Sequence, residues 1–256
     1  VRRYARWVLV ALVVIAIGTA VVLNQSRRAA APATPAVQAS VTPPVQVAGV
    51  KQLETRIAEA PETELYALTQ LMSRWQVGSA EASVRAATRC PLSIAAGLYC
   101  LRGRASLEQV LRFDRPLILS LGKPDQPVHA LLQGAGRRNV RIDVAGTSIE
   151  LPREELAPFW SGDFIAIWRV PATIAGSLRR GDAGPAVAWV KQSLSRLDHG
   201  ADGESGPAYF DTDLEERVRK LQLAYGIQAD GIIGPETLFA LSALDQTGPH
   251  LTRNIE

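Results

Sequence analysis

The most reactive side chains in this sequence belong to two cysteines, Cys90 and Cys100. They are not spaced as CxxC and have no neighbouring histidine, which argues against a structural zinc site. The histidines, His129, His199 and His250, also stand far apart in the sequence. We therefore expect no metal or other cofactor. The thiols could form a disulfide, or one of them could act as a nucleophile beside a base.

A disulfide between the two cysteines requires a turn between them. In one straight helix their Cα atoms would lie roughly 15 Å apart, which is beyond bridging distance. Gly97 could end a short helix over 91–96 and allow a turn to bring Cys100 back to Cys90. Closing so short a loop would contribute about 2 to 3 kcal/mol. We favour the disulfide because the folded part is expected to lie in an oxidising compartment.

The charge of the chain does not indicate nucleic-acid binding. The formal net charge is +3 and the pI is near 9.1, but a group of arginines flanks one apolar segment near the N-terminus. These are Arg2, Arg3, Arg6, Arg27 and Arg28. Without them the balance is slightly acidic, so a basic surface for nucleic acid is not implied.

The apolar segment 7–23 has no charged side chain and is long enough, at 17 residues, to cross a bilayer once. A cleavable signal peptide is the alternative, because a basic start and an apolar run are common to both. We favour a transmembrane anchor over residues 1–28, since the apolar run is long for a signal peptide and does not end at a small-x-small site. The flanking arginines place the N-terminus in the cytoplasm by a small margin.

The rest of the chain divides into a linker and two folded parts. Residues 29–49 are rich in Ala, Pro, Val and Thr and carry no charge, which predicts a semi-extended linker. The apolar spacing then predicts amphipathic helices, and residues 113–170 change to short apolar runs that predict four or five antiparallel strands. Helices followed by strands indicate an α+β domain over 50–171. Residues 172–256 predict a helical module.

Three short helices are predicted within this C-terminal module. Thr212 and Glu215 are spaced as a capping box at the start of the second helix, and Gly226 is placed to end it in the left-handed conformation. Pro235 fits the first turn of the third helix. The Asp-Gly pair at 230–231 predicts a tight turn before that helix.

Residues 178–244 resemble the peptidoglycan-binding domain found on many cell-wall hydrolases and envelope proteins. The resemblance is carried by LRRGD at 178–182, Phe210-Asp211 and DGIIGPETL at 230–238. Lys191 departs from the family, which usually has leucine there. The resemblance implies a non-catalytic three-helix domain that holds the stem peptides of peptidoglycan in a shallow groove beside the DGxxGxxT turn.

The candidate peptidoglycan-binding residues lie at and near this turn. They are Asp211, Asp230, Gly231, Gly234 and Thr237. Backbone N–H groups, hydroxyls and carboxylates are the groups that a polar peptide with free carboxylates and an amine requires. The alternative is a structural role for each residue, in which the aspartates cap helices or turns and the glycines satisfy a positive φ.

The middle part of the chain resembles the second half of the papain-like C39 peptidases. The resemblance is carried by apolar runs around His129 in HALLQGA and Asp143 in VRIDVAG. It implies a cysteine nucleophile, a histidine base and an aspartate that orients the histidine, and Cys90, His129 and Asp143 are the relic candidates for these roles. Pro91 stands where the family has glycine, and Gln76 is the nearest candidate for the oxyanion-hole glutamine. We therefore expect an inactive peptidase homologue, with an active cysteine peptidase or wall hydrolase as the alternative.

The order of anchor, spacer, C39-like domain and peptidoglycan-binding domain is similar to the C-terminal half of general secretion pathway protein A. In that family the region follows a cytoplasmic ATPase domain, whereas no GxxxxGK[ST] phosphate loop occurs in this sequence. The resemblance implies an inner-membrane protein with periplasmic domains that helps to fit the type II secretion secretin through the wall. It also implies a second inner-membrane protein as partner. A wall-bound envelope protein unrelated to secretion is a further alternative.

Overall fold

The computed structural model describes residues 45–60, 63–78, 81–197 and 208–255. The predicted anchor at 1–28 and most of the predicted linker lie outside these ranges. Within them, no helix is both long enough and apolar enough to span a membrane. All of the described residues fall within one compact unit, Pro43–Glu256.

An antiparallel sheet of seven strands lies at the centre of the described residues. The strands are β1 Ser93–Ala95, β2 Leu98–Arg104, β3 Leu117–Lys123, β4 Gln126–Ala135, β5 Asn139–Val144, β6 Thr147–Pro152 and β7 Trp160–Arg169. Their order in the sheet is β1-β2-β7-β3-β4-β5-β6. Strands β3 to β7 confirm the antiparallel strands predicted from the apolar runs within 113–170.

Helices surround this sheet. They are α1 Val45–Glu59, α2 Thr63–Arg74, α3 Val84–Ala87, α4 Leu107–Arg112, α5 Arg153–Leu156, α6 Pro185–Ser195, α7 Thr212–Tyr225 and α8 Pro235–Ala243. Helix α1 contacts β6, α2 contacts β4, and α8 contacts β2 and β7. Because α1 begins at Val45, the end of the predicted linker is helical rather than extended.

The helix predicted over 91–96 is wrong. This segment contains β1, and a turn at Gly97, which has φ of +73°, leads directly into β2. A Cβ atom at position 97 would lie 2.6 Å from the carbonyl oxygen of Val170, so the turn requires glycine. Strand β2 forms because it pairs with β7 along its whole length. That partner is distant in sequence, and local apolar spacing does not reveal it.

The ends of the C-terminal helices largely follow their sequence signals. Gly226 ends α7 in the left-handed conformation, with φ of 70°, and Pro235 is the first residue of α8, both as predicted. The predicted capping box of Thr212 and Glu215 is wrong. The N-cap is instead Asp211, whose carboxylate accepts a hydrogen bond from a backbone N–H of the first turn.

The helical module and the sheet domain share one hydrophobic core. The ring of Phe113, which follows α4, stacks on Phe239 of α8 with 4.4 Å between the ring centroids. Trp168 of β7 contacts the same Phe239 ring at 5.2 Å. Large aromatic side chains dominate the energetics of such contacts. The helical module is therefore packed firmly against the sheet domain.

The chain after α8 returns to the sheet. The N–H of Ala135 donates to the carbonyl oxygen of Thr252 at 2.9 Å, and the N–H of Thr252 donates to the carbonyl oxygen of Gln133 at 3.0 Å. Gly136 lies so close to the carbonyl group of Ile255 that a Cβ atom would overlap it. This C-terminal tail therefore holds the helical module to β4 through backbone contacts.

Arg115 is a fully buried charged residue at the same junction. Its guanidinium donates hydrogen bonds to the carbonyl oxygens of Ser242, Asp245 at 2.6 Å and Pro249 at 2.9 Å. These carbonyls belong to the last turn of α8 and the chain just after it, where helical acceptors lack helical partners. The guanidinium also lies over the ring of Trp75, 5.2 Å from its centroid. Arg115 therefore links the sheet domain to the end of α8.

Candidate functional site

A buried glutamine of α7 holds the turn at residues 230–234. The side chain of Gln222 is almost completely buried, and its amide nitrogen donates to Asp230 Oδ1 at 2.8 Å and to Thr237 Oγ1 at 3.1 Å. Its amide oxygen accepts a hydrogen bond from the N–H of Gly231 at 2.9 Å. The backbone of the turn is therefore fixed by a side chain from the preceding helix.

Three of the predicted binding residues have structural roles in this turn. Asp230 Oδ1 also accepts from the N–H of Ile232 at 2.8 Å, and this bond, followed by that from Gln222, lowers the pKa of Asp230. Thr237 is only 2% exposed. Gly231 has φ of +79°, and a Cβ atom there would lie 2.8 Å from the side chain of Glu215. These residues determine the shape of the turn.

Gly234 differs from the other glycine of the turn. Its φ is −95°, so the alternative interpretation, in which Gly234 only satisfies a positive φ, is wrong. A Cβ atom at this position would meet no other atom within 4 Å. Neither backbone conformation nor packing therefore requires glycine here. An open backbone of this kind permits close approach of a ligand.

Two arginines that the sequence analysis did not single out flank the turn. Arg180 and Arg219 both form ion pairs with Glu215, and their side chains are 61% and 41% exposed. Guanidinium groups bind carboxylates well because their planar N–H fork matches two oxygens. The spacing of Glu215 and Arg219 on one helix face could have revealed that pair. Arg180 lies beside the turn because Leu178, two residues earlier, forms a backbone β-bridge with Ile233 of the turn.

Asp211 caps the start of α7 and does not bond to the turn at 230–234. Its carboxylate accepts from the N–H of Leu214 at 2.8 Å and lies 3.5 Å from the Nζ of Lys191. The backbone bond, followed by the charge of Lys191, lowers the pKa of Asp211. Asp211 lies about 6 Å along the helix axis before Glu215, whose side chain packs against Gly231 of the turn. Asp211 therefore lies one helical turn before the residue that the turn contacts, and no hydrogen bond of its carboxylate reaches the turn in the described residues.

Cys90 and Cys100 are joined in a disulfide, as predicted, with their Cα atoms 5.3 Å apart. The bridge ties the segment before β1 to the inner strand β2. A bridged cysteine has no thiolate, and the thiolate is the form that acts as a nucleophile or metal ligand. Among the residues that the structure describes, no cluster of three or more His, Cys, Asp or Glu side chains could hold a metal ion.

His129 and Asp143 lie on neighbouring strands and on the same face of the sheet. Leu131 pairs directly with Asp143, and His129 precedes Leu131 by two residues on β4. Thr63 at the start of α2 contacts this part of β4. Its Oγ1 accepts a hydrogen bond from the backbone N–H of His129 at 2.6 Å. Burial is the main cause that lowers the pKa of His129.

The carboxylate of Asp143 is used close to its own strand. It accepts a hydrogen bond from the N–H of Gly146 at 3.0 Å. Asp143 also interacts with Tyr66, whose pKa is raised by burial and then by the Asp143 charge. These bonds stabilise the β5-β6 turn and its contact with α2.

Gln76 does not lie where an oxyanion-hole residue would be needed. It follows the last turn of α2, whereas Thr63, which contacts His129, begins that helix. A helix of this length separates its two ends by about 18 Å. The suggestion from the sequence that Gln76 matches the peptidase glutamine is therefore wrong.

The fold and the two sites define the class of protein. Residues 55–170 match the family model of the GspA, peptidase C39-like domain. Residues 183–241 match the family model of a peptidoglycan binding domain. The chain thus combines a C39-like α+β domain with a peptidoglycan-binding domain. The domain boundaries at 50–171 and 172–256 stay predictions.

Relatives give the more specific assignment. General secretion pathway protein A of Aeromonas hydrophila is 25% identical over 214 residues, which are 83% of this chain and 38% of that protein. A periplasmic domain of the EpsAB fusion protein of the Vibrio vulnificus type II secretion system has the same fold. Its crystal structure gives a TM-score of 0.51 at 20% identity, covering 73% of this chain and 80% of that one.

The chain is therefore a homologue of general secretion pathway protein A. It matches the family models of the GspA C39-like domain and of a peptidoglycan binding domain. It spans little more than a third of the length of the curated relative that it matches.

Proposed function

We propose that this chain is a non-catalytic peptidoglycan-binding protein that helps to assemble the type II secretion secretin through the cell wall. Residues 1–28 anchor it in the inner membrane, and the folded domains lie in the periplasm. The observation that carries the proposal is the turn at 230–234, which is rigid, open at Gly234 and flanked by exposed arginines.

The turn suits a peptide ligand that carries carboxylates. Arg180 and Arg219 offer guanidinium groups, and Ile232, which is 39% exposed, offers a small apolar contact between them. Because Gln222 fixes the backbone in advance, little conformational entropy is lost on binding. In this proposal Asp230, Gly231 and Thr237 position the turn, Asp211 positions the start of α7, and Gly234 meets the ligand.

The C39-like domain has lost the requirements for peptidase activity. A cysteine peptidase needs a thiolate, a histidine that accepts its proton and a donor for the oxyanion. Cys90 is bridged to Cys100, and Gln76 lies at the far end of α2 from His129. We infer that this domain serves as a scaffold for the wall-binding domain and as a docking surface for partners.

The anchor and the wall-binding turn together make the chain a tether. The apolar segment 7–23 is the proposed membrane anchor, and a spacer with the Ala/Pro-rich composition of the predicted linker reaches about 3 Å per residue, enough to hold the domains some tens of ångströms from the membrane. Once the chain is attached to the membrane, the effective concentration of its binding domain near the wall is higher, although no new contact is made. The proposed partners are peptidoglycan stem peptides, a second inner-membrane secretion protein and, through it, the secretin. The names of the relatives support this context.

Retention by purified sacculi tests the binding site. The full chain, kept in mild detergent, should co-sediment with sacculi. Arg180→Glu and Gly234→Val should each weaken retention by about tenfold, which corresponds to about 1.4 kcal/mol. Lys123→Glu makes the same charge change as Arg180→Glu on an exposed position of the sheet domain and should leave retention unchanged.

Three results would contradict the proposal. Equal retention of Arg180→Glu and Lys123→Glu would exclude the turn as the binding site, and a wild-type chain that sacculi do not retain would exclude wall binding. Release of fragments from sacculi or from a peptide substrate by the disulfide-bonded chain would instead support an enzyme. The secretion role is tested separately, because cells without the chain should assemble less multimeric secretin.

A further inference from the structure

The two edges of the seven-stranded sheet differ in how they are covered. Strand β6 forms one edge, and α1 packs so closely against it that a Cβ atom at Gly49 would overlap the carbonyl oxygen of Glu150. Strand β1 forms the other edge, where Ser93 is exposed and no further strand pairs with β1 in the part of the chain that the structure describes. Proteins usually cover such an edge, because it can pair with another chain. The β1 edge is therefore a candidate docking surface.

The backbone of Ser93 points away from the neighbouring strand β2. The N–H of Cys100 on β2 donates to the carbonyl oxygen of Leu92 at 3.1 Å, so these two residues form a hydrogen-bonded pair. Ser93 follows Leu92 and lies opposite Tyr99. Since the backbone groups of successive residues in an antiparallel strand point to opposite sides, the N–H and the carbonyl oxygen of Ser93 face outward. They are placed to bond to a further strand.

The disulfide holds this short edge strand in place. Strand β1 has only three residues, and a short isolated hairpin is marginally stable at best. Cys90, which precedes β1, is bridged to Cys100 on β2, and Gly97 turns the chain directly from β1 into β2. Both ends of β1 are therefore fixed. Because the strand is ordered in advance, little conformational entropy is lost when a partner strand is added.

The charges beside the β1 edge are positive. Arg85 of α3 and Arg89 just after it are exposed, and neither forms an ion pair within the described residues. Glu81, the acid nearest to them in the sequence, is already paired with Arg169. Leu92, which is 50% exposed, adds an apolar contact at the start of β1. Two guanidinium groups without acidic partners favour a ligand that carries carboxylates.

We propose that the β1 edge is the docking surface of the C39-like domain and that it takes an extended, acidic segment of a partner protein as an additional strand. The backbone of Ser93 pairs with that segment, and Arg85 and Arg89 face its carboxylates. In strand addition of this kind, main-chain hydrogen bonds give affinity and side chains give specificity. The proposal rests on the docking role proposed for this domain and is independent of the wall-binding turn at 230–234.

Binding of two synthetic peptides to the full chain in mild detergent tests the β1 edge. Each peptide has about ten residues and carries fluorescein for anisotropy measurements; one alternates valine with glutamate and the other alternates valine with lysine. The glutamate peptide should bind about tenfold more tightly than the lysine peptide. Ser93→Pro removes the outward N–H, which an edge strand tolerates, and should weaken binding of the glutamate peptide by about tenfold. Ser93→Ala keeps this N–H and should bind as the wild type does.

Charge variants separate the arginines of this edge from the net charge of the chain. Replacing both Arg85 and Arg89 by glutamate should remove the preference for the glutamate peptide. The matched control replaces both Arg137 and Arg138, which are exposed on the β4-β5 turn, by glutamate. It makes the same change in net charge and should preserve the preference.

Three results would overturn this docking surface. Equal affinity of the wild-type chain for the two peptides would exclude an acidic partner. Equal binding by Ser93→Pro and Ser93→Ala would exclude strand addition at β1. A dimer of the chain alone that Ser93→Pro converts to a monomer in analytical ultracentrifugation would assign the edge to a second copy. A wild-type chain that binds the glutamate peptide but is not retained by sacculi would support this surface while removing the wall-binding turn.

Discussion

Replacing Arg115 by methionine should loosen the junction between the two domains. The guanidinium is fully buried and serves three carbonyl oxygens, those of Ser242, Asp245 and Pro249. Methionine has a similar length and fills much of the same volume, but it donates no hydrogen bond. The change therefore removes the polar contacts with little loss of packing.

The expected loss follows from the acceptors that remain buried. A buried polar group without a partner costs about 1 to 3 kcal/mol, and a hydrogen bond from a charged donor contributes about 1.5 to 3 kcal/mol. Because three carbonyl oxygens lose their charged donor, we expect Arg115→Met to lower the free energy of unfolding by about 3 to 5 kcal/mol. Arg115→Lys should recover only part of this loss, because an ammonium group lacks the planar fork that reaches several carbonyls.

Urea denaturation of the full chain, followed by tryptophan fluorescence, measures this loss. Arg112→Met is the matched control, because exposed Arg112 donates one hydrogen bond across the same junction to Ala224 at 3.1 Å. It should lose only about 0.5 to 1.5 kcal/mol. If Arg115→Met unfolds at the same urea concentration as Arg112→Met, the reasoning about the buried guanidinium is refuted.

Three further predictions concern single sites. Gly231→Ala should lower the free energy of unfolding by about 1 to 3 kcal/mol, because alanine is strained in the left-handed backbone conformation of this position. Gly234→Ala should change the free energy of unfolding by less than about 0.5 kcal/mol. Equal thermal melting temperatures of the two variants would contradict this prediction. Reducing Cys90–Cys100 should destabilise the chain by about 2 to 3 kcal/mol, measured as a shift of the urea midpoint with dithiothreitol, and no shift would count against the entropic reasoning. The pKa of His129 is lower in the folded chain than in the unfolded chain. As the pH falls below about 6.5, the unfolded chain therefore protonates this histidine before the folded chain does. The free energy of unfolding should decrease from that pH down to the pKa of the folded state. His129→Gln should flatten this part of the pH profile, and an unchanged slope between pH 7.5 and 5 would exclude His129 as its source.

Several features of this protein follow from local sequence. Gly226 and Pro235 mark helix ends because one tolerates the left-handed conformation and the other has no N–H to leave unpaired. The strands β3 to β7 follow from short apolar runs between turn residues. The disulfide between Cys90 and Cys100 follows from the expected oxidising compartment. Each of these signals acts within a few residues or through the environment of the whole chain.

The tertiary structure alone decided the features that depend on distant partners. The segment before Gly97 is a strand because it pairs with β2, which in turn pairs with the distant β7, although its local pattern suggested a helix. Arg180 lies beside the turn at 230–234 because the chain before α6 forms a backbone β-bridge with it. Arg115 donates to the carbonyl oxygens of Ser242 and Asp245, which are more than a hundred residues away in the sequence. A buried donor is stable only where acceptors are already oriented towards it. That condition depends on how the end of α8 packs against the sheet, and no local pattern of residues encodes it.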